Sequence, residues 1–266
     1  MSRIQSTFQA LKSNHKKALV PYITAGDPHP KLTVQLMHAL VNTGADMIEL
    51  GVPFSDPMAD GPVIQRASER ALVHKVGLRK VMELVKEFRQ TDDKTPIVLM
   101  GYANPIEAMG LEKFTALAKE SGVDGVLTVD YPPEECAKFT AALTAANMDS
   151  IFLLSPTTEA SRTQLIVQQA TGFLYYVSLK GVTGAANLDI DEVKARVAEI
   201  RTMTDLPIGV GFGVKDAATA KKVAVIADAI VVGSRMVLAI EESTEQNLIE
   251  NVSKLMQELR AAIDAS

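Results

Sequence analysis

The chain has 266 residues and a net charge of −5 at pH 7, with 47% apolar and 22% charged residues. Proteins that bind nucleic acid or anionic membranes need a basic surface, and the sequence contains no Lys/Arg-rich block, so we expect neither role. The length fits one α/β barrel domain over residues 1–266, with a core large enough to fold without a metal or a disulfide.

The first 17 residues, 1–17, predict a helix that precedes the barrel and covers its bottom, in the segment "RIQSTFQALKSN". This start lacks the apolar segment of a signal peptide, and no later apolar run is long enough to span a membrane. Because Cys136 is the only cysteine, no internal disulfide can form, which is typical of a reducing compartment. We therefore expect a cytoplasmic protein.

From residue 18 onwards, short apolar segments alternate with amphipathic helical patterns. The predicted strands are 18–24, 46–51, 96–102, 124–130, 149–155, 173–178, 207–213 and 228–234. Eight strands with nearly continuous hydrophobicity favour a closed (β/α)8 TIM barrel over 18–237, followed by a C-terminal helix in 238–266. An extra helix is predicted over 62–77, after the second strand. A doubly wound open sheet is the alternative, but the alternation continues through the last strand, which favours the barrel.

Several helices carry recognisable ends. "PKLTVQLMHALVNTG" and "LEKFTALAKESG" predict helices that stop at Gly44 and Gly122, since glycine commonly terminates helices. "TEASRTQLIVQQATG" predicts a helix that begins with Thr158 or Ser161 as its N-cap and ends at Gly172.

The stretch "ADMIELGVPFSDPMADGPVIQ" (45–65) places a glutamate in an apolar strand. Because strand side chains alternate, Ile48 and Leu50 should face the helices, and Glu49 should point inward near the mouth, where barrel active sites lie. A buried carboxylate has a raised pKa and can give and take a proton near neutral pH. The alternative is a structural glutamate satisfied by neighbouring hydrogen bonds. Asp46, at the far end of the strand, is interpreted as a structural charge.

The same alternation directs mostly apolar and aromatic side chains into the mouth. They are Tyr22, Thr24, Met100, Tyr102, Leu127, Val129, Leu153, Tyr175, Val177 and Phe212. A pocket with such walls suits a flat apolar ring. Each residue alone is better explained as barrel filling, but together, with a carboxylate among them, they favour a ligand.

Glycine-rich segments follow the last three strands: "KGVTGAAN" (180–187), "GVGFGVKD" (209–216) and "VVGSRMV" (231–237). Loops at these positions form the usual phosphate site of barrels, because glycine lets backbone N–H groups approach the anion. Tight turns without a ligand are the alternative. Lys215 and Arg235 could assist electrostatically or be solvated surface charges.

The sequence lacks the residues that other catalytic mechanisms require. The histidines fall in helices or an early loop, and no cluster has metal-ligand spacing. The strands contain no lysine, and Lys180, in a loop, is the nearest candidate for a Schiff base. Neither a GxSxG motif nor a P-loop occurs. Acid–base catalysis by carboxylates, assisted by a tyrosine, remains, with a substrate that combines an apolar ring and a phosphate.

The motifs "PYITAGDP", "IELGVPFSDPMADGPVIQ", "YANPI", "LSPTT", "GVTGA" and "GFGV" closely resemble the tryptophan synthase alpha chain family, in the same order from about residue 18 to residue 237. The resemblance implies retro-aldol cleavage of indole-3-glycerol phosphate to indole and glyceraldehyde 3-phosphate. It implies no cofactor in this chain, and an α2β2 complex whose beta chain carries pyridoxal phosphate. Another phosphate-binding barrel isomerase or synthase, or a non-catalytic activator of a beta-type partner, are the alternatives.

The resemblance also implies residue roles. Glu49 corresponds to the general acid and base, Asp60 to the carboxylate that accepts the indole N–H, and Tyr175 to a supporting tyrosine. The phosphate-binding residues are Gly184, Gly213, Gly233 and Ser234; the substrate-binding residues are Tyr22, Met100, Tyr102, Leu127, Thr183 and Phe212; the residues that meet the beta chain are Pro53, Asp56, Asn104, Pro105 and Pro132. Ala103, Glu107, Tyr131 and Arg235 depart from the family pattern, which leaves partner and phosphate affinity open.

Overall fold

The computed structural model describes residues 1–177, 190–211 and 213–266. Within them, eight parallel strands close into a barrel in which each strand pairs with the next and β8 pairs with β1. The strands are β1 (Ala18–Thr24), β2 (Ile48–Gly51), β3 (Ile97–Gly101), β4 (Gly125–Thr128), β5 (Asp149–Leu154), β6 (Leu174–Val177), β7 (Ile208–Gly211) and β8 (Ala229–Val232). The predicted TIM barrel is confirmed, with most strands one to three residues shorter than predicted.

Twelve helices accompany these strands in the described residues. They are α1 (Arg3–Ser13), α2 (Pro30–Asn42), α3 (Pro62–Val73), α4 (Leu78–Phe88), α5 (Ala103–Met109), α6 (Leu111–Ser121), α7 (Ala137–Ala145), α8 (Ala160–Gln169), α9 (Ile190–Arg201), α10 (Ala217–Ala224), α11 (Ser234–Glu241) and α12 (Leu248–Asp264). The predicted extra helices, α1 and α3, are present. Two short helices, α5 and α11, were not predicted, because seven or eight residues are too few to show a helical period. Over the described ranges, no helix has the length and apolar character needed to cross a membrane.

Strand side chains alternate between two apolar clusters. Val20 and Val98 point into the barrel and join the interior cluster, whereas their neighbours Leu19 and Leu99 pack outward against the helices. All four are at most 1% exposed. Burying such a side chain contributes about 1.5–3 kcal/mol, so strands buried on both faces hold the barrel together.

Helix α1 closes the bottom of the barrel. Ser2 and Gln5 form a capping box at its start, and the Ser2 hydroxyl donates to Asp149 at the beginning of β5 (2.6 Å). Ile4 and Phe8 belong to the interior cluster, with the Phe8 ring 5.7 Å from that of Phe173. Because this end is filled, a ligand must enter from the carboxyl ends of the strands.

Aspartates at the starts of even-numbered strands stabilise the same end. Each accepts a hydrogen bond from a backbone N–H at the start of the preceding strand; the pairs are Asp46–Leu19, Asp124–Ile97 and Asp228–Ile208, at 2.8, 2.8 and 2.9 Å. Each also binds an arginine, namely Arg260, Arg89 and Arg201 respectively. Before β6, the Thr171 hydroxyl performs the same task for Ser150 (2.8 Å). The structural interpretation of Asp46 is therefore confirmed.

The predicted helix ends are partly confirmed. Gly122 is the left-handed C-cap of α6, and α2 ends two residues before Gly44. The predicted N-cap of α8 is wrong: the helix begins after Glu159, because the Thr158 hydroxyl instead accepts a hydrogen bond from the Ser155 N–H in the preceding turn (3.0 Å). The α8 C-terminus was also misplaced, since the helix ends three residues before Gly172.

Candidate active site

A cavity of about 310 Å³ opens at the carboxyl ends of the strands. One side carries two carboxylates among aromatic and apolar side chains, and the other is rich in glycine. The lining residues are Tyr22, Glu49, Asp60, Gly61, Ile64, Met100, Tyr175, Gly213, Val214, Lys215, Val231, Gly233, Ser234, Arg235 and Leu238. All six predicted catalytic and phosphate-binding residues that the structure describes are thus brought together in one cavity.

Glu49 is the second residue of β2, and its carboxylate points into the cavity. The side chain is 2% exposed, and the register places it beside Tyr22 of β1 and Val98 of β3. Within the described part of the chain, no residue donates a hydrogen bond to it. Burial, and to a smaller extent the charge of Asp60, raise the pKa of Glu49 to about 8. This glutamate therefore holds a proton at neutral pH that it can donate.

Asp60 lies in the loop before α3, held by two neighbouring polar groups. The Tyr102 hydroxyl donates to its carboxylate (3.0 Å) and accepts from the Ala59 N–H (3.0 Å). The Gln65 amide donates to the Asp60 carbonyl (2.8 Å). Burial raises the pKa of Asp60 to about 6, against the opposing effect of the Tyr102 hydrogen bond. Near pH 7, the cavity thus contains one protonated and one ionised carboxyl group.

Two glycines leave space for tyrosine hydroxyls at the mouth. A Cβ atom on Gly51 would collide with the Tyr22 hydroxyl, and one on Gly211 would collide with the Tyr175 hydroxyl. Tyr22 shares a hydrogen bond of 3.2 Å with Thr24. Burial first, and the nearby carboxylates second, raise the pKa of both tyrosines far above 10.0, so both remain neutral hydrogen-bonding groups.

The glycine-rich side of the cavity has the features of an anion site. Gly233 precedes α11 as its N-cap, and no side chain caps the first turn of this helix. Its backbone N–H groups and the positive end of the helix dipole therefore favour an anion. Gly213 adopts φ 83°, a conformation open to glycine. Lys215 and Arg235 add two cations to this wall.

Of the predicted substrate-binding residues that the structure describes, some line the cavity and others do not. Tyr22 and Met100 line the cavity. Leu127 is fully buried in the interior cluster. The Tyr102 hydroxyl donates a hydrogen bond to Asp60, and its ring packs on Phe54, 5.1 Å between centroids. Thr183, Gly184 and Phe212, and also Lys180, lie outside the described residues.

The residues predicted to meet a partner chain vary in exposure: Asp56, Asn104 and Pro132 are exposed, Pro105 is half-buried and Pro53 is buried. Met58, 80% exposed at the tip of the same loop, was not predicted, because a loop residue carries no periodic signal. Glu107 of α5 accepts a hydrogen bond from the Tyr131 hydroxyl, which joins α5 to the segment that contains Pro132.

Sequence reasoning also missed several cavity residues. Gly61 and Ile64 lie at the start of α3, Leu238 lies in the second turn of α11, and all three line the cavity. The sequence pattern identifies Ile64 and Leu238 as apolar helix positions, but it does not show that these positions line a cavity. In the described residues, no three His, Cys, Asp or Glu side chains are grouped to hold a metal ion.

Comparison with known proteins decides the family. The family model described as tryptophan synthase alpha chain matches residues 8–264. The chain belongs to the tryptophan synthase alpha chain family. The alpha chain of Ralstonia nicotianae is 58% identical over 265 residues and that of Chromobacterium violaceum 61% identical over 263, with 99–100% of each chain covered.

Solved structures of the family have the same architecture. Tryptophan synthase subunit alpha of Legionella pneumophila is 46% identical and superposes with a TM-score of 0.93, with 100% of both chains covered. A chain of Mycobacterium tuberculosis tryptophan synthase is 34% identical with a TM-score of 0.90, covering 98% of both chains.

Membership of the family gives the reaction. The alpha subunit is a lyase that cleaves indole-3-glycerol phosphate, and the indole passes to the beta subunit, which forms a complex with it. Pyridoxal phosphate belongs to the beta subunit, and the alpha chain needs no cofactor.

Proposed function

We propose that Glu49 is the general acid and base of this cleavage and that Asp60 stabilises the charge that develops on the indole ring. The observation that supports this assignment is the pair of buried carboxyl groups in one cavity, with pKa values raised to about 8 and about 6. Two such groups differ in protonation over the neutral range, which is what acid catalysis beside a fixed negative charge requires.

Glu49 first transfers its proton to the ring carbon at the scissile bond, so that positive charge develops at the ring nitrogen. The ionised Asp60 accepts the ring N–H and lowers the energy of this intermediate. The ring-to-glycerol carbon bond then breaks, and its electron pair restores the aromatic indole. The adjacent glycerol hydroxyl loses its proton to the Glu49 carboxylate and becomes the aldehyde. Glu49 is then protonated again, so the catalyst returns to its starting state.

The remaining cavity residues position the two ends of the substrate. Tyr22 and Met100 contact the ring, and Tyr175 supports the reacting glycerol. Gly213, Gly233 and Ser234 bind the phosphate at the start of α11, a location supported by its uncapped N–H groups. For Leu127 and Tyr102 we propose indirect roles: Leu127 fills the interior, and Tyr102 holds Asp60. The family pattern further implies that Gly184 binds the phosphate, that Phe212 contacts the indole ring and that Thr183 hydrogen-bonds Asp60.

The exposed face formed by Asp56, Met58, Asn104, Pro105 and Pro132 is proposed to contact the beta subunit. Its support is the exposure of Asp56, Asn104 and Pro132 and the exposed apolar Met58 at the loop tip. Pro53, which is buried, is proposed to shape the loop rather than to touch the partner. We also propose that residues 1–266 form one domain. A cytoplasmic location is proposed on the single cysteine, which is a buried free thiol.

The direct test is indole release from indole-3-glycerol phosphate, measured with and without the beta chain. Asp60→Asn should retain substrate binding and lose most turnover, because it removes charge stabilisation of the intermediate. A large rise in KM with unchanged kcat would contradict the role of Asp60. No indole from the wild-type chain under either condition would contradict the assignment as a whole.

A further inference from the structure

Arg235 carries a positive charge at an unfavourable position and has no partner among the described residues. It is the second residue of α11, where the helix dipole presents positive charge, and this helix has no acidic residue in its first turn. The side chain is half-buried and lines the cavity with Leu238, one turn further on. No described residue forms an ion pair or hydrogen bond with it.

The neighbouring carboxylates do not neutralise Arg235. Glu241, at the end of the same helix, binds Arg66 and Arg70 of α3, at 2.8 Å each. Glu242 and Glu258 line a separate groove on the other side of Arg235, together with Lys254, but neither lies within ion-pair distance of the Arg235 guanidinium. A guanidinium at the positive end of a helix, beside a ligand cavity and without a carboxylate partner among the described residues, favours an anion bound in that cavity.

We propose that Arg235 is a substrate-binding residue that pairs with the phosphate and thereby sets the preference of this chain for phosphorylated substrates. This inference rests on the proposed function and deepens it, because the backbone N–H groups alone provide hydrogen bonds without a full opposing charge. A pair with the phosphate exists equally in the bound substrate and in the transition state, since the phosphate does not react. Arg235 therefore acts on KM and leaves kcat largely unchanged.

The test compares Arg235→Gln with Lys254→Gln, which removes one positive charge from the adjacent groove but not from the cavity. For Arg235→Gln we expect KM for indole-3-glycerol phosphate, and Ki for glycerol 3-phosphate, to rise about tenfold, the scale of a charge-assisted hydrogen bond. kcat should stay within about twofold of the wild-type value. Inhibition by indole, which has no phosphate, should not change. Lys254→Gln should behave as wild type.

A second measurement is independent of catalysis. In thermal unfolding of the chain, inorganic phosphate should raise Tm less for Arg235→Gln than for wild type, because bound anion stabilises the folded state in proportion to its affinity. Without phosphate, Arg235→Gln should unfold at the same or a higher temperature than wild type, since an unfavourable cation leaves the helix start. A lower Tm without phosphate would contradict this reasoning.

Three other results would overturn the proposal. The first is an unchanged KM and Ki in Arg235→Gln. The second is a loss of kcat at constant KM, which would place Arg235 in the chemistry. The third is an equal effect of Lys254→Gln, which would indicate long-range charge rather than contact. If the wild-type chain released no indole, the proposed function would fail, and the phosphate-dependent Tm shift would still decide the role of Arg235.

Discussion

Replacing Glu49 with glutamine should stabilise the protein by an amount that grows with pH. The Glu49 side chain is 2% exposed, and its pKa rises from 4.5 to about 8, first because of burial and second because of Asp60. Glutamine has nearly the same shape but does not ionise. The substitution therefore removes the difference in proton binding between the folded and the unfolded chain.

The sign and the size of the effect follow from proton linkage. Below about pH 4.5, Glu49 is protonated in both states, so its raised pKa costs nothing. Between about pH 4.5 and 8 the unfolded chain releases the proton while the folded chain keeps it, so wild-type stability falls as pH rises. At about 1.36 kcal/mol per pH unit, the wild type is less stable than Glu49→Gln by about 3 kcal/mol at pH 7 and about 5 kcal/mol above pH 8.

Urea unfolding followed by circular dichroism, at about pH 5, 7 and 8.5, measures this difference as a change in midpoint at constant slope. Glu250→Gln, on the exposed side of α12, makes the same substitution without burial and is the control. A Glu49→Gln difference that stayed constant from about pH 5 to 8.5, or remained below about 1 kcal/mol, would refute the reasoning.

Three further predictions concern other parts of the molecule. The kcat/KM of the wild type should fall below about pH 6, where Asp60 becomes protonated, and above about pH 8, where the general acid loses its proton. Tyr102→Phe should move the acid limb of the pH profile to higher pH, because it removes the hydrogen bond that lowers the pKa of Asp60. Gly51→Ala should displace the Tyr22 ring and lower kcat/KM at least about tenfold, since a small misplacement in a site costs about that much or more. Asp124→Asn should destabilise the fold by about 3 kcal/mol with unchanged KM, because it removes the buried carboxylate that pairs with Arg89 and Arg3 at 2.7 and 2.8 Å, and Arg89 keeps only the more distant Asp92 at 3.9 Å.

Each of these predictions has a contrary outcome. An acid limb that stays in place in Tyr102→Phe would show that the hydroxyl does not control Asp60. Wild-type kcat/KM in Gly51→Ala would mean that the mouth adjusts to an added methyl group. Gly77→Ala, at the start of α4 and outside the cavity, is the matched control, because a Cβ there meets no neighbouring atom. Asp124 lies at the bottom of the barrel. A change of KM in Asp124→Asn would contradict the view that residues at this end stabilise the fold without affecting the active site at the carboxyl ends of the strands.

The barrel could be predicted because its strands are almost continuous apolar segments at regular intervals. The inward direction of Glu49 followed from alternation alone, since Ile48 and Leu50 pack outward. Helix ends with a glycine signal, such as Gly122, were located closely. These features depend on residues near one another in sequence, where side-chain direction and backbone preference determine the result.

Features that depend on distant contacts could not be predicted in the same way. Tyr102 continues the alternation of β3, yet its hydroxyl reaches Asp60, 42 positions away along the chain. The start of α8 was misplaced for a local reason: the Thr158 hydroxyl accepts a hydrogen bond from the Ser155 N–H, three residues earlier, and the sequence pattern does not distinguish this turn from an N-cap. Nothing in the local pattern indicates that Arg235 has no carboxylate partner among the described residues, because this depends on Glu241 being engaged by α3.

The central claim is that Glu49 delivers the proton that breaks the carbon–carbon bond. Single-turnover cleavage of enzyme-bound indole-3-glycerol phosphate, with the beta chain present and indole followed directly, tests it without interference from binding or product release. We predict that Glu49→Gln binds substrate as wild type does and cleaves it at least about a hundredfold more slowly, the scale of a positioned acid–base group. Cleavage by Glu49→Gln at nearly the wild-type rate would contradict the assignment.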